Sequence, residues 1–385
     1  MISLVKDTID KQDIEKLISW LGTNPKLTKG HLTTQFEKIW SIYTGVKHSV
    51  YVNSGSSANL AMAYSLQMSG RLTNNIVLAP AVSWVTTVAP FIQLGYDVKL
   101  FDCDVETLGP DINHLEELIL KHKPSIMIFV HVLGFPSKMD EIQTLCFKHN
   151  VILLEDSCES IGSTYNNNKT GTFGLMSSFS FYFGHHISTI EGGMICTDDD
   201  EMYNILKSIR AHGWDRDLDT SFKMKMRNRY EVDEFKDLYT FYYPGFNLRS
   251  TDLQAFIGIL QMEKINTIVN NRNSNYLLYQ NNIVNDYWKI NPTKNSFVSN
   301  FAYPIITPKI EELVESLKKN EIETRPLICG SIANQPFWRK MNYDIVDLNV
   351  ADEVDKFGLY LPNNHNLTND EILFVCDVVN KVLND

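Results

Sequence analysis

The chain has no apolar run long enough to cross a bilayer: stretches such as Ile126–Val130 fall far short of the roughly 20 residues that a spanning helix needs. It also has no excess of basic charge. Its 35 Lys and Arg stand against 46 Asp and Glu, a net charge of −11. Binding a phosphate backbone needs the opposite balance, so nucleic acid is not an expected partner. The opening Met1-Ile-Ser-Leu-Val-Lys-Asp7 lacks the charged-then-apolar order of a secretion signal. No two of the six cysteines (Cys103, Cys146, Cys158, Cys196, Cys329 and Cys376) are close enough for a Cys-x-x-Cys pair. That leaves no support for a zinc ribbon or a dithiol redox motif, and no metal is expected. Cys146 and Cys376 sit inside apolar runs, where a free thiol behaves as a small hydrophobe, so the expectation is a reduced, cytoplasmic protein. No repeat, low-complexity tract or Pro/Gly/Ser linker divides the chain.

What is present reads as a folded α/β protein. Apolar residues make up 44% and charged residues 21% of the 385 positions, and the length suits a large domain with a smaller companion. In Asp13-Ile-Glu-Lys-Leu-Ile-Ser-Trp-Leu21, four apolar positions fall at helical spacing behind an aspartate cap. Beyond it the spacing predicts buried strands at residues 76–79, 98–101, 126–132, 151–154 and 179–183. Helical patterns at 58–68, 112–121 and 139–149 lie between them, and a further strand is expected at 194–196. Such alternation predicts a mostly parallel sheet covered on both faces. From about Asp252 the texture changes. A long helix is expected over 252–270, a strand over 301–306, and helices near 310–320 and 369–382. The expected division is a large domain over residues 1–253 and a small C-terminal α/β domain over 254–385. Open parallel sheets bind ligands at the carboxyl ends of their strands, so the loops there are the places to look.

Four segments fall at such places. Asn53-Ser-Gly-Ser-Ser-Ala-Asn59 joins a strand end to a helix; Ser56 and Ser57 there can hold a phosphate, or the segment is an ordinary serine cap. Asp156, in Val151-Ile-Leu-Leu-Glu-Asp-Ser-Cys-Glu159, can pair with a cationic ring nitrogen or can cap the next segment. In Ser178-Phe-Ser-Phe-Tyr-Phe-Gly-His-His-Ile-Ser-Thr-Ile-Glu-Gly-Gly193 two histidines are adjacent. Their side chains point to opposite faces in extended chain and make a poor chelate. His185 can act as a general base, its ordinary pKa being near neutrality, or can be structural. Pro244-Gly-Phe-Asn-Leu-Arg-Ser-Thr-Asp-Leu-Gln-Ala255 offers Asn247 and Arg249 to a phosphate, with Ser250, Thr251 or Asp252 capping a helix; a capped domain junction is the plainer alternative. The polar, aromatic His212-Gly-Trp-Asp-Arg216 is placed near the substrate. The basic cluster Lys223-Met-Lys-Met-Arg227 with Arg229 reads as a solvated loop, or as a contact for a nucleotide diphosphate.

In this order the segments resemble the DegT/DnrJ/EryC1/StrS family of nucleotide-sugar aminotransferases, from residues 33–36 to Leu361-Pro-Asn-Asn364. The resemblance implies the pyridoxal-phosphate (PLP) aspartate aminotransferase fold of type I, with the large domain binding the cofactor. It implies that Ser56, Ser57 and Ser180 hold the cofactor phosphate and that Trp84, in Pro80-Ala-Val-Ser-Trp84, stacks on the ring. Asp156 would pair with the ring nitrogen. Glu159 stands where the aminotransferases usually carry Gln, near the ring hydroxyl. Asn247 would reach the phosphate of the neighbouring subunit, which implies a homodimer with shared sites.

One departure matters most. Counting back from Glu191-Gly-Gly193, the family's Schiff-base lysine falls at position 185, which here is His185; Lys169 and Lys207 belong to other segments. An imidazole cannot anchor the cofactor covalently. The exchange, with Phe181-Tyr-Phe-Gly-His-His186 and Glu323-Thr-Arg-Pro326, resembles the sugar 3-dehydratase branch of the family. It implies non-covalent PLP and its pyridoxamine form (PMP), L-glutamate as amino donor, and loss of the 3-hydroxyl from a GDP-linked 4-keto-6-deoxy sugar with release of ammonia. Arg249, Glu323, Arg325 and His212 would then lie on the substrate side. The alternatives are an aminotransferase acting on a 4-keto sugar and a non-catalytic cofactor-binding homologue. A related dehydratase class adds an iron–sulfur cluster, which needs four cysteines; the closest pair here, Cys146 and Cys158, is 12 positions apart.

Overall fold

Runs of branched and aromatic side chains bounded by Gly, Asn and Asp turns become the strands. The computed structural model describes residues 1–284, 287–328, 330–343 and 346–384. Cys329 lies outside the described residues, and the other five cysteines are free thiols. The central sheet has seven strands: β1 (His48–Val52), β2 (Ile76–Pro80), β3 (Asp97–Phe101), β4 (Ile126–Val130), β5 (Ile152–Asp156), β6 (Met176–Ser180) and β7 (Gly193–Thr197). Their spatial order is β1-β7-β6-β5-β4-β2-β3. Neighbours from β3 through β6 pair in parallel. Only β7 runs against both of its partners, β1 and β6. The expected α/β class is therefore the observed one.

Every residue of β4 is buried, because helices cover both faces of the sheet. Helices Gly55–Ser69 and Asp200–Arg210 bring Ala58, Ala61, Met62, Ile205 and Ile209 to one face. Helices Ile112–His122 and Met139–Lys148 bring Leu115, Ile119, Ile142 and Leu145 to the other. Each such aliphatic side chain contributes about 2 kcal/mol when fully buried. The carboxyl ends of β1, β5 and β6 consequently share one edge, and the candidate segments follow those ends.

The structure corrects two boundaries. The strand expected at 179–183 is β6, three residues earlier, and Tyr182 and Phe183 lie exposed in the turn beyond it. Serines fill β6 because their hydroxyls find partners: Ser177 Oγ donates to Gly171 O (2.6 Å) and Ser178 Oγ to Asn59 Oδ1 (2.6 Å). The single helix expected over 252–270 is two, Asp252–Met262 and Ile265–Asn282. Between them Lys264 turns its ammonium to Asp13 (2.6 Å). The first helix, Lys11–Leu21, is capped by Asp10, with Asp13 closing a reciprocal capping box. Thr251 caps Asp252–Met262, while the Asp252 carboxylate accepts from Gly30 N (2.7 Å) and Thr33 N (2.9 Å).

In the C-terminal part, Tyr303–Ile306 and Arg325–Pro326 flank Gly358–Leu361 in an antiparallel three-stranded sheet. Helices Ile310–Lys319 and Asn369–Asn384 pack Leu313, Leu317, Ile372, Val375 and Val379 beneath it. The amino-terminal segment straps the molecule together. Ile2 pairs with Ile322, Leu4 N donates to Glu323 Oε2 (3.0 Å), and Ser188 N donates to Thr8 Oγ1 (3.1 Å). Among the described residues no helix is long and apolar enough to cross a membrane.

Candidate active site

β5 is apolar until its last two residues, and Asp156 ends it at the ligand-binding edge of the sheet. Its carboxylate is only 3% exposed, yet donors converge on it. One oxygen accepts from Asn59 Nδ2 (2.7 Å) and Thr87 Oγ1 (2.7 Å), the other from Cys158 N (3.1 Å). Asn59 is locked in turn, accepting from Ser178 and donating to Thr86 O (3.1 Å). Asn59 and Thr87 sit early in helices Gly55–Ser69 and Val85–Gln93, whose positive N-terminal ends favour an anion here. No helix follows Asp156 for it to cap; residues 157–160 form a turn.

Of the two readings of the serine turn, the cap is the one observed. Ser54 is the helix cap, accepting from Ser57 N (3.0 Å), which leaves Ser56 exposed with its hydroxyl 2.9 Å from that of Thr86. A Cβ on Gly55 would stand 2.7 Å from Ser180 Cβ and 3.0 Å from Cys158 Sγ, so only glycine lets the helix start press against the end of β6. Ser180 is thereby brought beside the turn. The segment bearing Asn247 and Arg249 runs along the same end of β1: Asn53 N donates to Leu248 O (3.0 Å), Val52 bridges Arg249, and Arg249 Nε donates to Asn247 Oδ1 (3.2 Å). Trp84 precedes helix Val85–Gln93 on this edge and is 55% exposed.

His185 stands in the turn after β6, half-buried, its N–H bonded to Tyr182 O (2.9 Å) and its ring 5.3 Å from that of Phe301. Nδ1 is enclosed without a partner. Desolvation pushes the imidazole pKa down to about 4; Asp156 opposes this and the Arg272 cation adds to it. The ring is therefore neutral at pH 7, the form that accepts a proton. His186 faces away, fully buried, with Nε2 3.1 Å from Ser299 O. Glu159 completes this wall. Its Oε2 accepts from Leu133 N (2.7 Å), and burial, with Asp156 nearby, raises its pKa to about 8. At neutral pH it keeps a proton that it can donate.

Of the remaining candidates, His212 adjoins the Asn247 segment, its N–H donating to Phe246 O (2.6 Å). Arg325 Nη2 donates to Glu323 Oε1 (2.6 Å), beside the strap at Leu4. His212 adopts φ +66° and packs edge-on to Trp214 at 5.8 Å. The basic cluster is partly spent internally: Arg227 Nε donates to Asp237 (2.6 Å), and Lys223 stands 3.5 Å from both Asp215 and Asp237. Lys169 reaches Tyr43 O (2.5 Å) and Lys207 pairs with Asp219 (3.1 Å), so both are committed elsewhere. Asn59, Thr87, Phe301 and Arg272 were not marked in the sequence. A lone Asn within an Ala- and Met-rich helical stretch was the one available signal.

A buried carboxylate fed by donors, a helix start lined with serine hydroxyls, an open indole and an enclosed neutral imidazole fit a phosphorylated pyridine. Among the described residues no cluster of His, Cys, Asp and Glu is placed to hold a metal. The mixed seven-stranded sheet with these groups at its strand ends defines the PLP-dependent aminotransferase fold. The profile of the DegT/DnrJ/EryC1/StrS aminotransferase family matches residues 7–380, and the chain belongs to that family. It is 34% identical to GDP-4-keto-6-deoxy-D-mannose 3-dehydratase of Escherichia coli O55:H7, with 98% of each chain aligned. It is 26% identical to GDP-perosamine synthase of Caulobacter vibrioides, over 99% of this chain and 98% of that one. A crystal structure of GDP-4-keto-6-deoxymannose-3-dehydratase with a trapped PLP-glutamate geminal diamine matches with a TM-score of 0.89 and 34% identity, covering 98% of this chain and 100% of the other.

Proposed function

We propose that the protein is a PLP/PMP-dependent sugar-nucleotide 3-dehydratase. It would remove the 3-hydroxyl of a GDP-linked 4-keto-6-deoxy sugar, using L-glutamate as amino donor and releasing ammonia and a GDP-4-keto-3,6-dideoxy sugar. The observation that carries this is a neutral histidine, not a lysine, on the wall beside Asp156. PLP, held without a covalent bond, supplies the electron sink. Asp156 accepts the ring N–H, with Asn59 and Thr87 fixing the carboxylate. Ser56, Ser57 and Ser180 face the phosphate, Trp84 covers the ring, and Glu159 donates to the ring hydroxyl. The His185 imidazole would take a proton from the cofactor carbon next to the amine and give it to the departing 3-hydroxyl, so that water leaves. A lysine amine would instead return that proton to sugar carbon 4 and complete amine transfer.

In this proposal residues 1–253 carry the cofactor and 254–385 cover it. Arg249, Glu323, Arg325 and His212 contact the sugar nucleotide. Asn247, exposed in this chain, reaches the phosphate of a second copy in a cytoplasmic homodimer. The likeness to GDP-perosamine synthase favours one rival, a sugar aminotransferase. Incubation with PLP, L-glutamate and a panel of 4-keto nucleotide sugars separates the two. Dehydration gives a nitrogen-free product and free ammonia; transfer leaves nitrogen on the sugar and would overturn the proposal.

A further inference from the structure

Arg272, on helix Ile265–Asn282, is a buried cation with only 2% exposure. Among the described residues its hydrogen-bond partners are all main-chain carbonyls: Phe301 O (2.8 Å), Asn363 O (2.8 Å), Asn300 O (3.5 Å) and, through Nη2, His185 O (3.4 Å). Its Nε has no partner. Burying a guanidinium without a carboxylate is a costly arrangement, and a methionine or leucine would fill the same space without that cost. The carbonyls it gathers belong to three separate turns, and two of those turns frame the proton acceptor. One is the turn of His185 itself. The other carries Phe301, against whose ring the imidazole leans.

The linkage continues past these turns. Phe301 N donates to Leu133 O (2.8 Å) and Asn300 Nδ2 to the same oxygen (2.8 Å), while Leu133 N binds Glu159. Asn363 Nδ2 returns to Asn300 O (2.8 Å). One guanidinium therefore sets the spacing between the His185 turn and the segments that contact Glu159.

We propose that Arg272 is a positioning residue for His185: it pins the His185 main chain to the Phe301 turn and sets a buried cation beside the residue that accepts the proton. The charged and titratable groups around that imidazole define the balance. Asp156, at the end of β5, favours the imidazolium, as does the main chain of Cys158. Arg272 opposes it from the helix. His186 and His365 feel the same cation and burial, and both are held below their ordinary range. Glu159 is protonated and adds no charge at neutral pH.

The proposal rests on the dehydratase reading only for its purpose, and its deciding measurement does not need turnover. Protein labelled with 13C at histidine Cε1 is titrated by NMR, and the His185 signal is assigned by its loss in His185→Asn. In the wild type its midpoint should fall near 4. In Arg272→Met it should rise by about one pH unit, as removal of a neighbouring buried charge requires. Arg272→Lys keeps the charge but cannot serve three turns; it should keep the wild-type midpoint while kcat falls about tenfold through misplacement. An unchanged midpoint in folded Arg272→Met would overturn the proposal. Should that variant not fold, Arg272→Gln takes its place, and an unchanged His185 midpoint there overturns the proposal in the same way. Dehydration by a wild-type enzyme whose His185 titrates normally would sink this proposal alone. A low midpoint with no dehydration would sink only the function.

Discussion

Asp156 and Glu159 stand three residues apart at the end of one strand and receive opposite treatment. Asp156 accepts from two side chains and a main-chain N–H. Among the described residues Glu159 accepts from Leu133 N alone, and its pKa climbs to about 8. Both are buried, so burial does not decide where charge is allowed; the supply of donors does. The floor of the cleft is built to hold an anion, whereas the wall formed by Glu159 and His185 is built to stay neutral. A cleft divided in this way suits chemistry in which a cation is fixed at one place and protons move at another.

The difference can be attacked from the wall. His185→Asn should lower dehydration by about 1,000-fold while PLP absorbance still reports cofactor binding, because general base catalysis is typically worth that much. The companion variant His185→Lys should yield a borohydride-reducible link to the cofactor. Retained turnover in the first variant, or no link in the second, would remove residue 185 from the chemistry.

The floor should respond less. Thr87→Val deletes one donor to Asp156 and should cost about 2 kcal/mol of stability in denaturant titrations, the range for hydrogen bonds to charged groups. Combined with Asn59→Ala the losses should not simply add, since both donors share one carboxylate oxygen. A loss under about 0.5 kcal/mol would mean that the floor does not depend on its donors.

For Glu159→Gln the effect depends on pH. The folded pKa of about 8 lies above the ordinary carboxyl value of 4.5, so the folded state binds the extra proton between those limits. The stability this contributes is full below about 4.5 and declines as pH rises through about 8. Gln, always neutral, escapes the decline. Thermal unfolding should therefore show the variant gaining on the wild type between about pH 5 and pH 8. Equal pH dependence for the two would place an ionised carboxylate on the wall and erase the contrast with Asp156.

Much of this scaffold was legible in the sequence because the strands are buried on both faces. Ile126–Val130 could hardly be anything else. β6 was misplaced since its serines read as polar turn, and nothing local reveals that Gly171 and Asn59 satisfy them. The break at Lys264 was hidden because helical spacing continues through it; the ammonium there meets an aspartate 251 positions earlier. Asp156 and Glu159 could be marked from their place after an apolar strand. Asn59 and Thr87 could not, since they meet Asp156 across 97 and 69 residues. Arg272 lies in Asn270-Asn-Arg-Asn-Ser-Asn275, a composition that suggests a wet helix face, and only the convergence of distant turns buries it. The importance of His185 came from family likeness, because an isolated histidine carries no such signal.

The strap of residues 2–8 has a practical corollary. It braces the Glu323 carboxylate at one end and the His185 turn, through Ser188, at the other. A protease nick just ahead of Asp10 would release both braces in one cut, so purification handles are safer on the opposite terminus, and intact mass is worth checking before any preparation is declared inactive.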